Sequence, residues 1–254
     1  MLRNDIIIVI PTWNAKDLIM EAINSVVQQE RNGFSLGVII RDDLSNDGTY
    51  DKIMKFFKMG NISEGCFKID DIDFVFKKNT EKLYAPGNIY ESVIDYVDND
   101  ESIIGTLDGD DSLFGKTVLK EIYEIYQKHN PLVVYTQYMN SVGGVGHCAK
   151  IEDTANYRNK GQWCSSHFRT AKAHLYKKIN KEDLMYRDDY FKQGGDLALV
   201  YPLIEMAGND RTIFYNKVCY LYNNNLPTND HHLNLVNQRK MAKIIQSMKP
   251  YKQL

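Results

Sequence analysis

"DIIIVI", residues 5–10, decides the fold. Its run of β-branched residues is too short for a helix and too uniformly apolar for an edge strand. It reads as a strand buried on both faces, the pattern of a parallel sheet. Working outward, "NAKDLIMEAINSVVQQ" (14–29) sets Leu18, Ile19, Ala22, Ile23, Val26 and Val27 at helical spacing, with Asn14 as the expected N-cap. "GVIIRDD" (37–43) reads as a second strand, and "SNDGTYDKIMKFF" (45–57) as a turn and a second helix. "DIDFVFKK" (71–78) is a third strand, followed by the helix "APGNIYESVIDYV" (85–97) with Pro86 in its first turn. "SIIGTL" (102–107), "KTVLKEIYEIYQKH" (116–129) and "LVVYTQY" (132–138) continue as strand, helix, strand.

This alternation predicts an α/β fold with a parallel, doubly wound sheet through about residue 137. Such sheets bind ligands outside the carboxyl ends of their strands. Beyond residue 138 the pattern loosens. "SVGGVGHCAK" (141–150) reads as a loop, and "SHFRTAKAHLYKKI" (166–179) and "GGDLALVYPLIEMAG" (194–208) as helices. "TIFYNKVCYLY" (212–222) reads as a strand, with a terminal helix from about Leu233. The Gly143-Gly144 pair is too weak a break to divide the chain, so a single domain over 1–254 is expected.

The 254 residues are 43% hydrophobic and 25% charged, with a formal net charge of −2. That is an ordinary globular composition with no global basic field to attract nucleic acid or an anionic membrane. The longest apolar run, Ile6 to Ile10, is far short of the roughly 20 residues of a membrane span. The first residues lack a small-residue cleavage site, so no signal peptide is read. Cys66, Cys148, Cys164 and Cys219 form no CxxC pair, which argues against a zinc knuckle and fits reduced thiols. The expectation is a cytoplasmic, enzyme-sized domain, with membrane contact at most peripheral.

"IIGTLDGDDSLFGK" (103–116) packs Asp108, Asp110 and Asp111 into four residues at a strand end. Like charges that close repel one another, and a hard cation such as Mn²⁺ or Mg²⁺ would offset the cost. Held by one or two carboxylates, that cation completes its shell with substrate phosphates. The plainer alternative is a solvated acidic turn capping a helix at residues 112–117.

"IIIVIPTWN" (6–14), "VIIRDDLSNDGTYD" (38–51), "IIGTLDGDD" (103–111) and "GGDLALVYPLIEMAG" (194–208), in this order and each at a strand or helix end, resemble the family 2 glycosyltransferases of GT-A fold. The resemblance covers roughly residues 4–222. It implies a Rossmann-like, mostly parallel central sheet flanked by helices. Residues 1–115 would form the nucleotide-sugar half, and 116–254 a looser acceptor-side half with the C-terminal helix.

The resemblance also implies site roles. Pro11 and Thr12 lie against the nucleotide, and Asp43 or its neighbour Asp42 accepts the uracil N3–H. Asp108 faces the ribose, and Asp110 binds the Mn²⁺ or Mg²⁺ that bridges the diphosphate of a UDP-sugar. Asp47 and Thr49 read as a turn and helix cap. Relatives carry an Arg-Asn pair in the helix after the third strand. Here Asn88 is retained, while Ala85, Pro86 or Gly87 stands where the cation would be, leaving Lys78 or Lys82 to supply the charge. Asp196, following two glycines at a helix N-terminus, is the expected base for the acceptor hydroxyl, with Asp188 and Asp189 as the fallback. Trp163, His167 and Arg169 fall on the acceptor side, where a Trp stacks on a pyranose face. The alternative is a core Trp and a satisfied His. His231 and His232 match a loop that contacts phosphate or metal in relatives, or are merely exposed.

The expected function is thus a metal-dependent, inverting glycosyltransferase acting on a nucleotide-sugar and an acceptor hydroxyl. The acceptor is left open among glycan, small molecule, protein and modified nucleic-acid base, as is the oligomeric state. A non-catalytic nucleotide- or carbohydrate-binding module on the same fold is the main alternative. A haloacid-dehalogenase-like phosphatase would explain "LDGDDSLF". Its acidic loop, however, follows the first strand rather than the fourth, and it gives "VIIRDDLSNDGT" no role.

Overall fold

β1 (Ile6–Thr12) is buried along its whole length, and its side chains divide between the two faces of the sheet. Ile6, Ile8 and Ile10 enter one apolar layer, while Ile7 and Val9 enter the other. The computed structural model describes residues 1–60, 62–161, 163–224 and 235–254. β2 (Leu36–Asp42) pairs with β1 in parallel, placing Thr12 opposite Asp42 at the shared carboxyl end. β4 (Ile72–Lys78) continues the parallel set, and β5 (Ile103–Thr106) flanks β1 on its other side.

Three departures from a purely parallel sheet matter. β3 (Glu64–Ile69), absent from the sequence reading, pairs antiparallel with β4; its alternating exposure marks a solvated edge. β8 (Arg169–Lys172) lies antiparallel between β5 and β7 (Val133–Asn140). The helix expected over 166–179 is therefore this strand followed by the single turn α6 (Ala173–Lys177). Its Ala- and Lys-rich composition favours helix, but pairing with a strand on each side overrides that preference. β6 (Ser112–Leu113) pairs antiparallel with β11 (Thr212–Tyr222), so residues 112–117 form no helix for the acidic turn to cap. Among the described residues the sheet has nine strands, in the order β3-β4-β2-β1-β5-β8-β7-β11-β6. β9 (Met185–Tyr186) and β10 (Asp189–Tyr190) form a separate hairpin.

α1 (Ile19–Val27), α2 (Thr49–Phe57) and α4 (Val118–His129) cover the face of Ile6, Ile8 and Ile10. α3 (Tyr84–Tyr96), α6, α7 (Gly195–Ala207) and the terminal α8 (Leu235–Ser247) cover the other. Asn14 does not cap α1, which starts at Ile19; it has a left-handed φ of 51° and accepts from the Asn46 amide. Asp47 accepts from the Thr49 amide and hydroxyl, and Thr49 accepts from the Ala15 amide. Those bonds tie the loop after β1 to the start of α2, in keeping with a turn and cap. Among the described residues no helix is long and apolar enough to cross a membrane.

Candidate active site

At the carboxyl ends of β1 and β2, the Thr12 hydroxyl and both Asp42 carboxylate oxygens are buried without a hydrogen bond of ordinary geometry among the described residues. Burial raises the pKa of Asp42, while the Ser45 hydroxyl and amide and the charge of Lys78 pull the other way. Buried polar groups left unpaired cost about 1–3 kcal/mol each, and with Asp42 wholly buried a ligand donor would meet its carboxylate only where this corner opens. Asp43 is fully engaged instead. Its carboxylate accepts from Asn79 Nδ2 at 2.7 Å and from the amides of Leu83 and Tyr84 at 2.9 and 3.0 Å. It thereby holds the first turn of α3. Asn88 is likewise internal, accepting from Asn79 and donating to the Tyr84 carbonyl.

Of the two candidate cations, Lys78 lies over the Tyr50 ring. Lys82 lies 3.4 Å from Asp43 Oδ2 and 3.9 Å from the centre of the half-exposed Trp13 ring. Burial lowers its pKa against the pull of Asp43. Trp13 and Lys82 thus form one wall beside the Asp42 corner.

The loop after β5 is pressed onto β1. Gly109 donates to the Pro11 carbonyl at 3.0 Å, and a Cβ at Gly109 would lie 2.5 Å from the Thr12 hydroxyl. Asp111 faces inward, accepting from Tyr220 Oη at 2.8 Å and the Asn223 amide at 2.7 Å. The same Tyr220 oxygen accepts from the Asp108 amide, and Asn223 Nδ2 donates to the Asp110 carbonyl. The loop backbone is thereby fixed. Among the described residues, no neighbouring side chain donates to the Asp108 or Asp110 carboxylate. Burial pushes Asp108 up to about 7, helped by the charges of Asp196 and Asp110 and opposed by Arg169. Burial raises Asp110 as well.

Asp196 stands in the first turn of α7, after the left-handed N-cap Gly194. Arg169, which pairs in register with Thr106 two residues before Asp108, donates to Asp196 Oδ2 at 3.0 Å. Burial works to raise Asp196, but the charge of Arg169 and its hydrogen bond prevail and hold the carboxyl below its ordinary value. His167 is buried, stacked on Tyr220 and Tyr222 with ring centres 4.7 and 5.3 Å away. Burial, reinforced by Arg169, lowers its pKa to about 3, so the ring is neutral. Trp163 is partly exposed, stacked on Tyr157 and edge-on to Tyr201. Its ring centre lies 6.0 Å from the Arg169 guanidinium.

The structure therefore brings Pro11, Thr12, Asp42, Asp108, Asp110, Arg169 and Asp196 to one end of the sheet. Asp188 and Asp189 sit exposed on the β9–β10 hairpin, and His231 and His232 lie outside the described residues. Lys82 was singled out from sequence, whereas Tyr220, Asn223, Asn79 and Trp13 were not. Their roles come from contacts across the sheet, for which no local motif exists.

Asp110 suits a divalent cation: its carboxylate is unengaged, raised by burial and beside a second acid. Among the described residues no three His, Cys, Asp or Glu side chains converge on one point, so the rest of such a shell would come from water or substrate.

No curated protein matches the chain. Among solved structures it is similar to S. aureus TarS 1–349 in complex with UDP-GlcNAc, at 15% identity and a TM-score of 0.67, covering 95% of this chain and 65% of that one. S. aureus TarS 1–349 alone gives 17% identity and 0.63, with 86% and 60% covered. The mannosyltransferase PcManGT from Pyrobaculum calidifontis, in complex with GDP-Man and Mn²⁺, gives 16% and 0.62, with 99% and 67% covered. The chain thus spans about three-fifths of the length of TarS 1–349, and these likenesses establish the GT-A fold. The profile of glycosyl transferase family 2 matches residues 7–185, well over half the chain, and the chain belongs to that family.

Proposed function

We propose that the chain is a metal-dependent, inverting glycosyltransferase that moves a sugar from a UDP-sugar to an acceptor hydroxyl. The observation that carries this reading is the grouping of Asp108, Asp110 and Asp196. Burial, and after it the charges of the other two, raise Asp108, while Arg169 holds Asp196 below its ordinary value. Family membership removes the phosphatase alternative.

In this reading Asp42 accepts an imide N–H of the nucleobase, and Pro11 and Thr12 floor the nucleotide. Asp43 and Asn88 support that corner from behind, and Lys82 supplies the cation that the α3 segment lacks. Asp108 accepts from a ribose hydroxyl. Asp110 would hold Mn²⁺ or Mg²⁺, which when bound neutralises diphosphate charge as a Lewis acid. Asp196 takes the acceptor proton while the acceptor oxygen bonds to the anomeric carbon and the bond from that carbon to the diphosphate oxygen breaks. With its carboxyl below the ordinary range, Asp196 is a weak base. That suits a transition state with oxocarbenium character, in which proton transfer is late. Arg169 orients this carboxylate through their hydrogen bond. Trp163 and His167 belong to the acceptor wall, as a partly exposed face and a buried support. We read the chain as one domain, with residues 1–115 on the donor side and 116–254 on the acceptor side, acting in the cytoplasm.

Calorimetric titration with UDP and GDP, each with Mn²⁺ and with EDTA, tests the donor side. Metal-dependent binding of UDP but not GDP is expected. Binding of GDP alone would move the assignment to a guanine nucleotide, and no binding of either would overturn it. Metal-dependent binding without transfer to any acceptor would favour the non-catalytic module.

A further inference from the structure

Residues 235–254 carry Arg239, Lys240, Lys243, Lys249 and Lys252 and no acidic side chain, in a chain whose overall charge is −2. The remainder is therefore more acidic than the whole, and the basic character is concentrated here. Among the described residues none of these five cations forms an ion pair or a hydrogen bond to another side chain. Elsewhere on the surface, Arg3, Arg31, Lys77, Lys177, Lys181 and Lys217 are each paired with a carboxylate. Lys55 and Lys128 are also exposed without an ion pair among the described residues. What sets residues 235–243 apart is that their cations share a face with exposed apolar side chains.

α8 explains how that charge is displayed. Ile245 is fully buried, and Met241, Ile244 and Met248 pack against the same core. The Ile245 carbonyl accepts from Arg158 Nη1 at 3.0 Å, so this side of the helix is fixed to the protein. Leu235, Arg239 and Lys243 stand four residues apart on the opposite side, as do Val236 and Lys240, and all five are exposed. Val236 is 79% exposed and Leu235 46%. Bare apolar side chains interleaved with unpaired cations on one helical face fit an anionic bilayer surface. There the apolar groups enter the acyl boundary and the cations meet headgroup phosphates. A soluble polyanion would satisfy the cations and leave Leu235 and Val236 in water.

We infer that the outer face of α8 docks the protein on an anionic phospholipid surface. The inner face of the helix backs the start of α7: a Cβ on Gly194 would lie 3.3 Å from Ile245 Cδ1 and 3.7 Å from Met241 Cβ. Docking would therefore hold the Asp196 end of the cleft close to the membrane, where a lipid-borne acceptor would be presented. The docking inference does not depend on glycosyl transfer, and its test involves no nucleotide.

The test is co-sedimentation of the purified chain with vesicles of phosphatidylcholine, alone or with about 30 mol% phosphatidylglycerol. Binding is expected only to the anionic vesicles, with a loss of roughly fivefold or more at about 0.5 M NaCl. Arg239→Gln, Lys240→Gln and Lys243→Gln combined should remove it. Leu235→Ser with Val236→Ser should weaken it at least about threefold with unchanged circular dichroism and melting temperature. Three outcomes would overturn the inference: no binding to anionic vesicles, equal binding by the charge variant, or binding to duplex DNA or polyphosphate that the serine variant leaves unchanged. Self-association lost in the same variants, without vesicle binding, would assign the face to a second copy instead.

Discussion

Among the described residues Asp42 has no hydrogen-bond partner of ordinary geometry, whereas Asp43, one residue on, gathers Asn79 and the amides of Leu83 and Tyr84. Two substitutions should therefore behave oppositely. Asp43→Ala strands three buried donors and should lower stability by about 3 kcal/mol in urea unfolding. Asp42→Asn relieves an unpaired buried acid, so stability should hold or rise while UDP affinity drops at least about tenfold by calorimetry. Equal losses of stability would refute the contrast. Asp110→Asn should abolish turnover with the melting temperature unchanged, and retained activity would sink the metal assignment. Asp108 supplies a pH dependence. Its folded pKa of about 7 lies above the 3.8 of an ordinary Asp. Its contribution to stability is thus fully present below 3.8 and lost as pH rises through 7. A bound cation favours the ionised form, so the rise in melting temperature on adding Mn²⁺ should be larger at about pH 8 than at about pH 5.5. A pH-independent rise would count against the carboxylate cluster as the site.

Elements place these residues, and α7 does so under the tightest constraint. Glu205, near its end, makes a two-pronged ion pair with Arg158 of the short helix α5 (Tyr157–Lys160), at 2.7 and 2.8 Å. Both side chains are almost wholly buried. The Tyr251 amide also donates to Glu205, and Arg158 also donates to α8, so three helices meet on one pair of charges. Removing one partner leaves the other charged and buried, and Glu205→Ala should cost about 3–5 kcal/mol in denaturant unfolding. A cost below about 1 kcal/mol would show that Arg158 finds other partners. At this scale the sequence was legible where an element is buried on both faces or strongly amphipathic, as in β1 and α4. It was illegible at β8, where Arg169–Lys172 is too short for its alternation to stand out and its neighbours favour helix. The strand exists because β5 and β7 bracket it, which no local pattern records.

Across the whole molecule the sheet runs unbroken from the β3 edge to β6, drawing strands from both sides of residue 115. One cooperative thermal transition is therefore expected by calorimetry, shifted as a unit by Asp43→Ala and by Glu205→Ala. Two separable transitions would instead divide the chain into two domains. Much of the candidate site was legible as a grouping because Asp42, Asp108, Asp110 and Asp196 lie at or near the ends of elements whose apolar patterns are strong. The partners that set their state were not: Tyr220 reaches Asp111 across 109 positions of sequence, and Arg169 reaches Asp196 across 27.

That first separation bears on biosynthesis. A nascent chain emerging from the ribosome carries Asp108, Asp110 and Asp111 well before Tyr220 and Asn223 exist to fix their loop. Until β11 is translated and slots beside β7, those acids lack the Tyr220 and Asn223 contacts that fix their loop. Under the function proposed above, competence should thus switch on late, with the closing strand.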